Sequence, residues 1–83
     1  MANTPSIKSM VTQAADNATD ARGILRLGKF SDAIREVRDA IKEDRAPTNV
    51  MRGYAALGEH VERVMLDAGF SKGDIREFWR KLA

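Results

Sequence analysis

With 83 residues the chain falls below the usual domain size of about 100–150, and a fold this small buries only about 60–65% of the unfolded surface, which leaves one modest core and little room for a deep catalytic cleft. The absence of cysteine and the presence of one histidine, His60, exclude a disulfide framework, a thiolate zinc site and a two-histidine metal cluster within one chain. Fourteen Lys and Arg against twelve Asp and Glu leave a net charge of only +2, so nucleic-acid binding would have to rest on a local patch and not on bulk attraction.

A composition of 43% hydrophobic and 31% charged residues is that of a folded domain, not a disordered tail. No run approaches the roughly 18 apolar residues of a membrane span. The opening MANTPSIKSM has no basic region followed by an apolar core, so no secretory signal is expected. The expectation is a single all-helical domain over residues 1–83, cytoplasmic, with no membrane partner, no cofactor and no metal.

Thr4 is placed to cap the first helix, and Pro5 suits its first helical position, where a missing N–H costs nothing. Ile7, Met10, Val11, Ala14, Ala15, Ala18, Ala21 and Leu25 recur at helical intervals, the mark of one buried stripe. Gly28 stands where a left-handed cap belongs, so this helix is expected over residues 5–27. Ser31 and Asp32 then open a second helix, 31–44, with three faces. Ala33, Ile34, Val37, Ala40 and Ile41 form its apolar face. Arg35, Arg38 and Lys42 form a basic border, and Asp32, Glu36, Asp39 and Glu43 an acidic one. These charges are a solvated surface with local pairs such as Arg35 with Asp39, or one of the strips meets a partner.

Residues 45–49 are a break within which a third helix should start, at Pro47 or just after it and running over 48–68; its stripe reads Val50, Tyr54, Leu57, Val61, Val64 and Ala68, with Met51 and Met65 alongside. Its phase passes through Gly58 without slipping, which makes that glycine a weak point or a close-packing site. The helix should end at Gly69. Ser71 with Asp74 three residues on forms a shortened capping box for a last helix, 72–82, with Ile75, Phe78, Trp79 and Leu82 as its apolar face. No segment alternates with period two for long enough to be a strand. The fold expected is all-α, a compact bundle of four helices joined by short loops.

Two stretches resemble known motifs. Leu27-Gly28-Lys29-Phe30-Ser31-Asp32-Ala33-Ile34, with Val37, Ala40 and Ile41, resembles the middle of a tetratricopeptide repeat, where a glycine and an aromatic make the turn between two helices. The match covers roughly residues 17–47 and has no second copy, whereas such repeats stack several neighbours. The resemblance implies a helical hairpin and not a repeat array. Val64, Ala68, Gly69, Phe70, Ser71, Ile75 and Phe78 carry the spacing of a helix-turn-helix over residues 61–80. That resemblance implies a recognition helix at 71–80, presenting Ser71, Lys72, Gly73, Arg76 and Glu77 to DNA with Arg80 and Lys81 near phosphate. Met65 stands where that motif favours a small residue, and Asp74 and Glu77 dilute its positive face. The same Ala-Gly-Phe-Ser turn is similar to the Met-Gly-Phe loop of ubiquitin-associated domains, which implies only a turn between helices.

Catalytic chemistry finds no support in the residues. Asp39 with Glu43 and Glu59 with Glu62 are surface pairs, His60 borders the third stripe, and the six glycines are spread singly, so no phosphate loop is present. Three of the five aromatics, Phe70, Phe78 and Trp79, lie within ten residues. Core packing accounts for them in a chain this small, yet Phe78 and Trp79 are adjacent and point about 100° apart. A partly exposed Trp79 between Arg76 and Arg80 would have the composition of an interface hot spot. Arg22, Arg26 and Lys29 would extend the basic border of the second helix into one patch.

The reading is a small non-enzymatic regulator, in the style of a phage or bacterial inhibitor or adaptor. It would bind a macromolecule, a protein first, through Arg35, Arg38, Lys42, Arg76, Trp79 and Arg80. The alternative is a DNA-binding helix-turn-helix using Ser71, Lys72, Gly73, Arg76 and Arg80. A homodimer, or an assembly seamed by the alanine-rich first helix, stays open.

Overall fold

Four helices in chain order, α1 (Ile7–Ala18), α2 (Leu27–Glu43), α3 (Pro47–Asp67) and α4 (Lys72–Leu82), make up the fold. The computed structural model describes residues 6–43 and 47–82, and for 47–49 the backbone alone. Among the described residues the sole β feature is an isolated antiparallel bridge between Thr19 and Leu25. The expected all-α bundle of four helices is therefore observed. Its shortest dimension, 18 Å between Cα extremes, corresponds to two layers of helices, each about 10–12 Å across.

The first helix is shorter than its periodicity suggests. Ser6 is the N-cap, accepting from the Ser9 N–H at 3.1 Å; the expected caps Thr4 and Pro5 lie outside the described residues. The helix stops at Ala18, nine residues before the expected end at Leu27. Asp20 is the cause. Its Oδ1 accepts from the N–H groups of Arg22 (2.9 Å) and Ile24 (3.0 Å), its own N–H donates to the Ile24 carbonyl (2.9 Å), and Gly23 turns left-handed at φ +82°. A short acidic side chain thus offers the backbone a local alternative to helix, and the left-handed glycine closes it. Ala21, expected in the stripe, is exposed on this loop, whereas Leu25 is buried from the loop and not from a helix.

Because the chain turns early, α2 begins at Leu27, and the Phe30 N–H already donates to the Arg26 carbonyl at 2.9 Å. Gly28 is helical and Ser31 lies inside the helix, so neither is the cap expected of it. The turn that the tetratricopeptide resemblance puts at Gly28 and Phe30 is absent; the turn is at 19–26. The earlier start places Phe30 in register with Ile34, Val37 and Ile41 at helical spacing, and all four are buried, while Ala40 is exposed.

The core joins Val11, Ala14 and Ala18 of α1 to that row, to Leu57, Val61 and Met65 of α3, and to Ile75, Phe78 and Leu82 of α4. Met65 is fully buried and takes the central line of α3, with Val50, Tyr54 and Val64 half-buried beside it. Met51 and Ala68 face solvent. No side chain with a polar or charged group is fully buried among the described residues. Gly53, not Gly58, is the close-packing glycine: a Cβ there would stand 2.8 Å from Cγ2 of Ile41, whereas one at Gly58 would meet nothing within 4 Å.

Local chemistry fully accounts for the turn from α3 to α4. The Phe70 N–H donates to the Met65 carbonyl and the Gly69 N–H to the Leu66 carbonyl, both at 3.0 Å, with Gly69 at φ +94°. This is a Schellman termination, completed by the apolar residue after the glycine packing on the core. Ser71 and Asp74 then close a reciprocal box, Ser71 N–H to Asp74 Oδ2 at 2.9 Å and Asp74 N–H to Ser71 Oγ at 3.1 Å.

Candidate binding face

The face of α4 turned from the core collects five of the candidate residues. At about 100° per residue, Trp79, Lys72, Arg76, Arg80 and Gly73 follow one another around an arc of about 120°, opposite or beside the buried Ile75, Phe78 and Leu82. Lys72, Gly73, Arg76 and Arg80 are exposed and Trp79 is half-buried. Gly73, Arg76, Glu77, Trp79 and Arg80 line a shallow recess on this side.

Trp79 stands edge-on to Phe78, with ring centroids 5.6 Å apart and planes at 84°, and Phe78 in turn packs on Phe30 at 5.5 Å. The indole is thus seated on an aromatic ladder that reaches the centre of the bundle. Phe78 takes the core position and Trp79 the border, which resolves the competition between two adjacent large rings.

The carboxylates of α4 leave this face basic. Asp74 projects to the opposite side of the helix and is committed to Ser71, whose N–H, and then hydroxyl, hold its carboxyl below the ordinary aspartate value. Half-buried Glu77 borders the face and pairs with Arg80 at 2.6 Å. Lys72 and Arg76 have no ion-pair partner among the described residues. Of the two carboxylates expected to dilute the positive charge, Asp74 therefore falls on the other side of the helix, whereas Glu77 reaches the border of the face at Arg80.

The basic border of α2 lies apart from that face. Arg38 donates from Nη1 to the Leu82 carbonyl at 3.0 Å, and Arg35 from Nη2 to the Lys81 carbonyl at 3.3 Å. Two cations so placed satisfy the open carbonyls at the C-terminus of α4 and complement its dipole. Arg35 also pairs with Asp32 at 2.9 Å, in place of the expected Asp39, which lies 3.8 Å from Arg38. Lys42 is exposed. The extension through Arg22 and Arg26 does not form a helical row, since both lie in the 19–26 loop and Arg26 is paired with Asp20 at 3.0 Å. That loop also holds the Asp20 carboxyl below its ordinary value, chiefly through the N–H of Ile24, against the opposing effect of its partial burial.

A groove between α2 and α4 was not foreseen. Its lining includes Leu27, Asp32, Arg35, Glu77, Phe78 and Lys81, with charges of both signs. It exists because α2 starts at Leu27, and the early end of α1 that permits this has no signal in hydrophobic periodicity. His60 is half-buried on α3 and the pairs Asp39 with Glu43 and Glu59 with Glu62 are exposed. Among the described residues no three His, Asp or Glu side chains are grouped to hold a metal ion, and no helix is long and apolar enough to cross a membrane. Comparison of the chain with protein-family models, with curated proteins and with solved structures finds no match.

Proposed function

We propose that this chain is a small non-enzymatic regulatory protein, cytoplasmic, that binds a protein partner through the outer face of α4 and acts by occluding a functional surface of that partner. The observation that carries the reading is the half-buried Trp79 on its aromatic ladder, with exposed Lys72, Arg76 and Arg80 along one side of it. Large amphipathic side chains and arginines on a pre-ordered backbone are what interface hot spots are made of, because little freedom is lost when they are covered. Arg35 and Arg38 then serve the face from behind, by holding the last turn of α4, and of the α2 border only Lys42 stays among the contact candidates. An inhibitor or adaptor of phage or bacterial type matches this economy of parts. Affinity capture from the native host tests the reading: a protein retained by the wild type should be lost with both Trp79→Ala and Arg76→Glu. A partner retained equally by both variants overturns it.

The second reading is a DNA-binding helix-turn-helix, favoured by the left-handed Gly69 turn and by exposed Lys72, Gly73, Arg76 and Arg80. Against it, the Ser71 N–H and hydroxyl are taken by Asp74, whose carboxylate stands at the N-terminal end of α4, where phosphate would approach. Amide shifts at Lys72, Gly73 and Arg76 on titration with random duplex DNA, fading steeply as salt rises, would put this reading first.

A further inference from the structure

Resting on the protein-binding reading above, we propose that the partner segment is acidic, with carboxylates set against Lys72, Arg76 and Arg80 around an apolar side chain seated on Trp79. The charge pattern selects this occupant. Lys72, Arg76 and Arg80 succeed one another at intervals of four residues, which places three cations along about 12 Å of helix. Two of them have no ion-pair partner among the described residues, and the third shares only Glu77 at the border. The helix supplies no other carboxylate on that side, since Asp74 is turned away and bound by Ser71. A partner that brings discrete carboxylates at helical or extended spacing pairs these cations, whereas a basic or neutral partner would cover them unpaired.

Trp79 supplies the apolar centre. Its ring is held by Phe78, which is held by Phe30, so the platform is ordered before any partner arrives. Gly73 projects no side chain, which keeps the recess beside Arg76 and Arg80 open to a partner side chain. A phosphate approaching the N-terminal end of α4 fits less well, because the Ser71 N–H there is already taken by the Asp74 carboxylate.

Trp79 is the sole tryptophan, so its emission reports on this face alone. The intact protein is titrated with a short synthetic peptide of Glu, Ala and Leu carrying a glutamate in every helical turn. Parallel titrations use the same peptide with Lys for Glu, and random duplex DNA. The expected result is a saturating blue shift with the glutamate peptide, with amide shifts at Lys72, Arg76 and Arg80. Arg76→Glu and Lys72→Glu, each with an unchanged melting curve, should weaken it about tenfold or more. An unmoved Trp79 with the glutamate peptide, or equal binding of the lysine peptide, overturns the acidic assignment while leaving a protein partner of other chemistry in place. Tighter binding of DNA than of the glutamate peptide overturns both the assignment and the protein-binding reading.

Discussion

Gly53 and Gly58 lie five residues apart on α3 and make opposite demands. At Gly58 a methyl group meets open space, so Gly58→Ala should stabilise by up to about 1 kcal/mol through helix propensity. At Gly53 the same change drives a Cβ into the buried Ile41, a branched side chain with little freedom to yield. The overpacking costs about 1–3 kcal/mol, which exceeds the propensity gain. Urea melts of the two variants should therefore shift in opposite directions. Asp74 makes a second residue-scale prediction, in pH. Its carboxyl is held below the ordinary aspartate value by the Ser71 N–H first and the Ser71 hydroxyl second. The box therefore contributes fully above the ordinary value, about pH 4, and its contribution disappears as pH falls through the lowered one. The Ser71 amide resonance should follow that acid transition in the wild type and lose it in Asp74→Asn.

At the scale of elements, the boundary between α1 and α2 is decided by a loop and not by a stripe. Gly23 is left-handed and Gly28 helical with open space around it. Gly23→Ala should then destabilise by about 1 kcal/mol, and Gly28→Ala should be neutral or stabilising by up to about 1 kcal/mol. A turn at Gly28 would give the reverse order in thermal melts. The docking of α4 depends on its apolar row and on the arginines behind its last turn. Arg38→Ala removes the bond to the Leu82 carbonyl, a loss of about 1 kcal/mol. Faster amide exchange confined to the last turn of α4 would report it, with the centre of the bundle unchanged. Phe30→Ala opens the aromatic ladder at its base and should cost about 3–5 kcal/mol, a large part of the stability of any small domain.

At the scale of the whole molecule, the two aromatic neighbours of α4 divide between stability and binding. Phe78 is buried and Trp79 half-buried. Trp79→Ala should therefore lower the melting temperature less than Phe78→Ala, yet weaken partner binding more, as compared by calorimetry and by titration of the folded variants. The fold places Lys72, Arg76 and Arg80 on the outer face of α4 and the carbonyl-bound Arg35 and Arg38 behind the C-terminus of the same helix, so a single short element carries the proposed contact. Salt should weaken that contact by screening its exposed cations, but less steeply than it would a phosphate-tracking face, since part of the contact is the covered indole.

The amino-acid sequence by itself determined the class of fold, the long third helix, and the whole turn between α3 and α4. Each rests on chemistry local in the chain: helical spacing of apolar residues, a glycine that alone adopts φ +94° without strain, and a serine and an aspartate three residues apart. It also singled out Arg76, Trp79 and Arg80 by composition. Asp20 and Gly23 were local signals too, but an unbroken alanine stripe outweighed them, because periodicity does not register a side chain that captures backbone N–H groups. Only the tertiary structure decided that Phe30 is core, that Gly53 and not Gly58 is a contact, and that Arg35 and Arg38 reach the carbonyls of α4 while Lys72 and Arg76 stay unpaired among the described residues. Those outcomes depend on which helix lies across which. That is set by contacts between residues far apart in the chain, such as the forty-six positions between Arg35 and Lys81, a distance over which no local pattern carries information.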